Sequence, residues 1–319
     1  MLYNLVSGNV TTYNVYMFIM IALTFAISFC ALKFLKRVLP KDQGRLFAVN
    51  GALSEGKPRG AGLIFMTTFV LSVALIAPLN IENIIYLACI YAAMLTGYFD
   101  DAAEKPWGNV KKGLCDLVIS LGVSITYYVY NGSDIKLLLF NTTVHIPAVL
   151  FIILEIVLIW AAINVTNCTD GVDGLCGSLV MCVLAFLYFI PKYSATDNAL
   201  IIIMFVTLAA YLWFNCSPSK MLMGDAGSRA LGVFLAVMFL KISAPLAFIP
   251  LAIVIILDGG LGLLKLSFRR FLKMKNFMEG IRTPLHDHAR KNKGWSDTQV
   301  VTRFVLIQIV AGLCYIALT

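Results

Sequence analysis

Apolar residues in this chain come in long runs separated by short polar intervals. Blocks of about 18 or more apolar residues match the helix length needed to cross the hydrocarbon core of a bilayer. The pattern predicts ten spans, at 15–35, 61–79, 83–99, 114–130, 148–164, 174–190, 198–215, 230–243, 246–264 and 301–318, the eighth being the shortest. The expected fold class is an all-α polytopic membrane protein of about ten transmembrane helices. Residues 1–319 read as one integral membrane unit, without a repeat or a low-complexity linker. DIKLLLFNTTVHIPAVL carries short β-prone runs around Asn141 and predicts a small outer hairpin. LKLSFRRFLKMKNF sets Lys265, Arg269 and Lys273 four apart, with Phe268, Phe271 and Leu272 between them. That spacing suits a basic helix that continues out of the ninth span or lies among lipid headgroups, either snorkelling or binding membrane lipid.

Composition agrees with the block pattern: 60% hydrophobic residues, 13% charged residues and a mean hydropathy of +0.86 exclude a soluble globular chain. The net charge of +8 acquires its meaning from position. Loops after odd-numbered spans hold 22 of the 25 basic residues, leaving Lys136, Lys192 and Lys241 on the other side. The positive-inside rule then places both termini outside and the odd-numbered loops in the cytoplasm. The basic excess therefore reflects topology and phosphate binding, not nucleic acid. MLYNLVSGNV has no basic n-region of a cleavable signal. The eight cysteines form no CxxC pair and read as small buried hydrophobes.

Chemistry collects in four of the loops expected on the cytoplasmic side. GYFDDAAEK brings Asp100 and Asp101, and NVTNCTDGVDGL brings Asn164, Asn167, Asp170 and Asp173. NCSPSKMLMGDAGSRALG brings Asn215, Gly224 and Asp225, and IRTPLHDHARKNKGW brings Arg282, His286, Asp287 and His288. A lone Asp at a helix end is ordinarily a cap. The series 164, 167, 170, 173 is more telling, because at roughly 100° per residue it stays near one helical face, with Gly171 and Gly174 predicting partial unwinding. MGDAGS offers a carboxylate beside residues small enough for a phosphate to approach backbone N–H groups. The spacing in HDH suits a loop, with zinc ligation the minor reading, and His145 reads as an outer loop residue. Together these groups point to chemistry on a polyanion: carboxylates to hold Mg²⁺ and cations to neutralise phosphate.

The four segments GYFDD, NVTNCTDGVDGL, MGDAGSRALG and PLHDHARKNKGW resemble the motifs of the polyprenyl-phosphate N-acetylhexosamine-1-phosphate transferases, over essentially the whole chain. The last motif, followed by GWSD, is most similar to the branch acting on a muramoyl-pentapeptide nucleotide. The resemblance implies ten spans with both ends outside and a bacterial inner-membrane location. It also implies attack by undecaprenyl phosphate on the β-phosphorus of UDP-N-acetylmuramoyl-pentapeptide, giving lipid I and UMP with Mg²⁺. By motif, Asp225 matches the Mg²⁺ ligand, with Asp101 a further candidate. Asp100 and Asp101 match the pair that orients or deprotonates the lipid phosphate. Asn167, Asp170, Asp173 and Asn215 match positions near the nucleotide, and His286 to His288 the loop over the sugar-phosphate end. A homodimer is also implied.

The chain departs from the family pattern at four places. Asp287 replaces a middle histidine, and Glu104 replaces a lysine, leaving Lys105, Lys111 or Lys112 to supply that charge. Leu222 stands where a phenylalanine commonly stacks on uracil. SEGKPRGAGL replaces TPTMGG, with Lys57 and Arg59 as cationic candidates. Because a phosphate monoester's second pKa is about 6, the lipid phosphate needs little deprotonation. The favoured mechanism is one in-line displacement with charge offset by Mg²⁺ and basic residues; a covalent phosphosugar on Asp100 or Asp101 is the alternative. The rivals are the N-acetylglucosamine-1-phosphate transferase and an ion-coupled transporter, for which Asp116, Glu155 and Asp258 are the acids inside spans.

Overall fold

The computed structural model describes residues 10–44, 54–190, 194–274 and 276–319. Arg45, Lys192 and Lys275, counted above among the loop charges, lie outside the described residues. Along the chain come α1 (Val10–Leu35), α2 (Gly62–Ile76), α3 (Ile81–Asp101), α4 (Asn109–Asn131), β1 (Asp134–Leu137), β2 (Thr142–His145) and α5 (Ala148–Thr169). They are followed by α6 (Leu175–Tyr188), α7 (Ala195–Asn215), α8 (Gly224–Lys241), α9 (Phe248–Leu251), α10 (Ile253–Phe271), α11 (Leu285–Lys293) and α12 (Asp297–Leu318). Helix stands at each of the ten apolar blocks. Among the described residues six helices, α1, α3, α4, α5, α7 and α12, are long and apolar enough to cross a membrane, and the bent pair α9–α10 makes up to seven. α2 and α6 are apolar but have only 15 and 14 residues. α8 carries Asp225, Arg229 and Lys241, and it is buried by protein from Gly224 to Leu240.

α8 is the axis of the fold, packed chiefly on α3 and α5 and also on α2. Small residues let these helices approach at backbone distance. A Cβ on Gly97 of α3 would collide with the Asp225 backbone, and one on Gly62 of α2 with the backbone at Gly227. The N-terminus of α8 is thereby wedged between the start of α2 and the end of α3. Further along, α8 pairs its charges internally: Arg229 Nη2 lies 2.5 Å from Asp116 Oδ1 of α4, and Lys241 Nζ lies 3.1 Å from Glu82 Oε2 of α3.

The ninth span, expected as one run over 246–264, is instead broken at Ala252 and bent by 93°. The break frees the Leu251 carbonyl and the Val254 N–H, and the buried side chain of Gln308 in α12 satisfies both. Its Nε2 donates to Leu251 O at 2.7 Å, and its Oε1 accepts from Val254 N at 3.0 Å. Gln308→Leu would orphan two buried backbone groups at about 1–3 kcal/mol each. We expect a loss of about 2–6 kcal/mol in detergent unfolding from those two groups together. Wild-type stability would show that something else holds the break.

The hairpin forms as expected, β1 antiparallel to β2 with Asp134 opposite His145, turning through Asn141 at φ 46. His145 is not a loop residue: it sits in β2, with Nδ1 2.7 Å from Asp134 Oδ1. All eight cysteines are free, but only Cys176 is buried, while Cys30, Cys216 and Cys314 are exposed. An apolar run does not mean burial here, because the perimeter helices turn residues such as Phe18, Val118 and Val157 outward. The basic stretch does continue the ninth span as far as Phe271, so Lys265 and Arg269 are helical and Lys273 lies beyond the helix. Lys265 Nζ and Arg269 Nη2 turn back onto the carbonyls of Ile281 and Phe277.

Candidate active site

The end of α3, the start of α4, the start of α8 and the loop before α2 meet in a cluster of charged side chains. Lys112, in the first turn of α4, places Nζ 2.5 Å from Asp100 Oδ2 and 3.0 Å from Asp225 Oδ2. Arg59 directs Nε to Asp101 Oδ1 at 2.8 Å, Nη1 to Asp42 Oδ2 at 3.4 Å and Nη2 to Asp225 Oδ1 at 3.7 Å. Asp101 also accepts the Ala226 N–H at 3.0 Å, so α3 caps the first turn of α8 from outside. Asp100 accepts the Trp107 N–H at 2.6 Å. Backbone hydrogen bonds fix the cation-bearing loop: Leu222 N–H donates to Pro58 O and Ala61 N–H to Leu222 O. Gly224 suits its place doubly, with φ at +72 and no room for a Cβ beside Asp101 Oδ2. Burial alone would lower the Arg59 pKa, but Asp101, Asp225 and Asp42 outweigh it and hold the guanidinium above its ordinary value.

The second part of the site is the α5–α6 turn. Helix α5 keeps Asn164 and Asn167 and then unwinds, leaving Asp170 as its C-cap, before α6 begins after Gly174. Asn167 Nδ2 donates to Ser228 Oγ of α8 at 3.2 Å. Asn215, the last residue of α7, accepts the Gly174 N–H at 2.9 Å and donates to Met221 O at 2.9 Å. Asp173 accepts the Ser219 N–H at 2.9 Å, and Lys57 Nζ sits 3.0 Å from Ser219 Oγ and 3.8 Å from Asp173. The α2 loop, the DGVDG turn and the α7–α8 loop are thus one connected surface. Asn164 lies apart from it, hydrogen-bonded to Trp160 O and to Asp116 of the buried Arg229 pair.

His286, Asp287 and His288 occupy the first turn of a helix, not a loop. LHDHARKNK has no apolar stripe to betray α11, and Gly294 ends it in the left-handed region. His286 is buried against α10, with Nδ1 2.8 Å from Asp258 Oδ2, and its ring lies against Gly171 of the DGVDG turn, where a Cβ would collide with it. Arg290 Nη2 lies 3.0 Å from Asp287 Oδ1 and 3.4 Å from Gly171 O, tying α11 to the same turn. The Arg282 N–H donates to His288 Nδ1 at 3.3 Å, leaving its guanidinium exposed. Lys111 lies over the Trp107 ring, 3.2 Å from its centroid, and not on the acids. Sequence reasoning missed Asp42, Arg290 and the role of Asp258. Only Asp258 carried a signal, as an acid inside an apolar run.

The donor set suits a hard divalent cation. Among the described residues the ion-pair partners of Asp42, Asp100, Asp101 and Asp225 are Arg59 and Lys112, four carboxylates against two cations. Among the described residues no group of three or more His, Cys, Asp or Glu is placed to hold a metal ion by itself. A Mg²⁺ ion held here would take one or two of these carboxylates and complete its shell with phosphate oxygens and water.

Residues 83–243, from α3 to just past α8, match the family described as glycosyl transferase family 4. The chain belongs to glycosyl transferase family 4. Asp100, Asp101, Asn167, Asp170, Asp173, Asn215 and Asp225 all fall within the matched residues. Similarity extends well beyond them, with 37% identity to a protein of Treponema pallidum (strain Nichols) over 93% of this chain and 87% of that one. Identity is 26% to a protein of Clostridium acetobutylicum (84% and 86% covered) and 28% to one of Dictyoglomus thermophilum (86% and 89%). Each of the three is named phospho-N-acetylmuramoyl-pentapeptide-transferase. For this member of glycosyl transferase family 4, the resemblance read from four short motifs therefore holds along nearly the whole chain.

Proposed function

We propose that this chain is a phospho-N-acetylmuramoyl-pentapeptide transferase of peptidoglycan synthesis, working at the cytoplasmic face of a bacterial inner membrane. It would pass the phospho-N-acetylmuramoyl-pentapeptide group from its UDP carrier to undecaprenyl phosphate, giving lipid I and UMP. The observation that carries this reading is Lys112, bridging Asp100 and Asp225 from helices far apart in sequence. A lipid-phosphate oxygen forms a bond to the β-phosphorus as the bond from that phosphorus to the α-phosphate oxygen breaks, and UMP leaves. The difficulty is repulsion between anions, which Lys112, Arg59 and Lys57 offset from three sides. Asp225 and Asp100, with Asp101 behind them, would hold Mg²⁺, which supplies further neutralisation of phosphate charge. Asp100 would also orient the attacking phosphate or take its residual proton. The turn bearing Asp170 and Asp173 and the side chains of Asn167 and Asn215 would receive the nucleotide, with α11 over its sugar-phosphate end.

Transport is disfavoured because two of the three acids inside the apolar runs have fixed partners, Asp116 in Arg229 and Asp258 in His286. The names of the relatives favour the muramoyl-pentapeptide donor over UDP-N-acetylglucosamine. UMP release in detergent with undecaprenyl phosphate and each nucleotide in turn tests both points. We expect release from the muramoyl-pentapeptide nucleotide. Preferential release from UDP-N-acetylglucosamine would replace the donor, and no release from either would remove the reaction class. Exchange of labelled UMP into the UDP-sugar without lipid would indicate a covalent phosphosugar in place of the single step.

A further inference from the structure

Asp258 is fully buried in α10 with no exposed surface. Both of its oxygens are committed to one residue of another helix. Oδ1 accepts the His286 backbone N–H at 2.7 Å, and Oδ2 lies 2.8 Å from His286 Nδ1. The first contact is a helix cap supplied from outside. α11 starts after Pro284 without a side-chain cap of its own, and the His286 N–H is one of the orphan donors of its first turn. The second contact fixes the ring. A carboxylate can only accept, so Nδ1 carries the hydrogen of that bond and Nε2 keeps a lone pair, with Asp287 Oδ1 3.7 Å away. Nε2 is aimed at a specific place: it is the atom a Cβ on Gly171 would strike first. Its ring edge is therefore presented to the DGVDG turn between Asp170 and Val172.

We infer that Asp258 is a positioning residue for the transfer reaction, holding the His286 ring so that the Nε2 lone pair is set to accept from a hydroxyl of the donor's sugar over the DGVDG turn. This rests on the proposed function for what Nε2 meets, but not for the pairing itself. Asp258 touches no substrate and acts through His286 alone. α10 is in turn held at its broken end by Gln308, so the ring's setting is anchored through three helices.

Asp258→Asn separates the two contacts. The amide oxygen can still accept the backbone N–H, so the cap survives. The amide nitrogen now donates to Nδ1, which drives the ring hydrogen onto Nε2. The chain holds only three histidines, so nitrogen-15 spectra of histidine-labelled protein resolve the change. We expect the His286 signals of Asp258→Asn to switch tautomer while the melting curve stays near wild type. Turnover with the muramoyl-pentapeptide nucleotide should fall at least about tenfold, as expected when a histidine is held in the wrong tautomer. In a His286→Ala background the same change should cost less than about twofold, because residues acting as one unit are not additive. His286 nitrogen signals unchanged in Asp258→Asn would overturn the inference, as would a full loss of turnover persisting in the His286→Ala background. A purely capping Asp258 would leave the Asn variant at wild-type turnover, which also overturns it. The ring measurement needs no substrate, so it judges Asp258 independently of the donor assignment.

Discussion

Asp225→Ala should abolish turnover, a loss of at least about 100-fold in kcat at saturating Mg²⁺, the scale of removing one electrostatic stabiliser from an active site. The reason is position as much as charge. Asp225 is the only carboxylate in the cluster that touches both cations, Lys112 at 3.0 Å and Arg59 at 3.7 Å. Without it, Lys112 keeps only Asp100 and Arg59 keeps Asp101 and Asp42, so the two halves of the cluster lose their common member. Because both cations retain partners, the variant should fold and its melting curve should stay close to wild type. Asp225→Asn keeps the shape and removes only the charge, so it should be nearly as inactive. UMP release close to wild type in either variant would take Asp225 out of the reacting centre.

Helix at each apolar block was legible, but the number of spans was not. Among the described residues six helices, or seven with the bent α9–α10 pair, are long and apolar enough to cross a membrane, while α2 and α6 have only 15 and 14 residues. The break after α9 was not legible either, since averaged hydropathy passes smoothly over it. The one local hint was Pro250, two residues before Ala252. The carboxylate motifs were legible as groups: the α3, α5 and α7 ends do meet around the start of α8. Which lysine faces the acids was not. Lys111 and Lys112 are neighbours at the start of α4, and roughly 100° of helical rotation sends one to Trp107 and the other to Asp100 and Asp225. Asp42 and Asp258 escaped because their partners, Arg59 and His286, are 17 and 28 residues away in sequence, with no motif linking them. α11 escaped because its own residues are nearly all polar, and its first turn is secured by Asp258, on another helix.

Gly97→Ala should be nearly as damaging to turnover as the loss of Asp225, although it removes no functional group. A Cβ at this position would run into the backbone of Asp225 and Ala226, and neither neighbour can rotate away as a side chain could. α3 must therefore move off α8, at about 1–3 kcal/mol for the overpacked contact. Asp100 and Asp101 stand three and four residues further along α3, one turn on and over the same face, so the displacement is delivered to them. Asp101 would lose its hold on the Ala226 N–H, and Lys112 could no longer reach Asp100 and Asp225 together. A misplacement of about 1 Å among reacting groups costs on the order of 100-fold, so kcat should fall by that order with a modest drop in melting temperature. Gly113→Ala in α4 is the control, since nothing lies within 4 Å of the added methyl group. It should be neutral, or more stable by up to about 1 kcal/mol from helix propensity. Wild-type kcat in Gly97→Ala would mean that the close approach of α3 to α8 does not set the spacing of the three aspartates, and that Lys112 and Arg59 alone hold it.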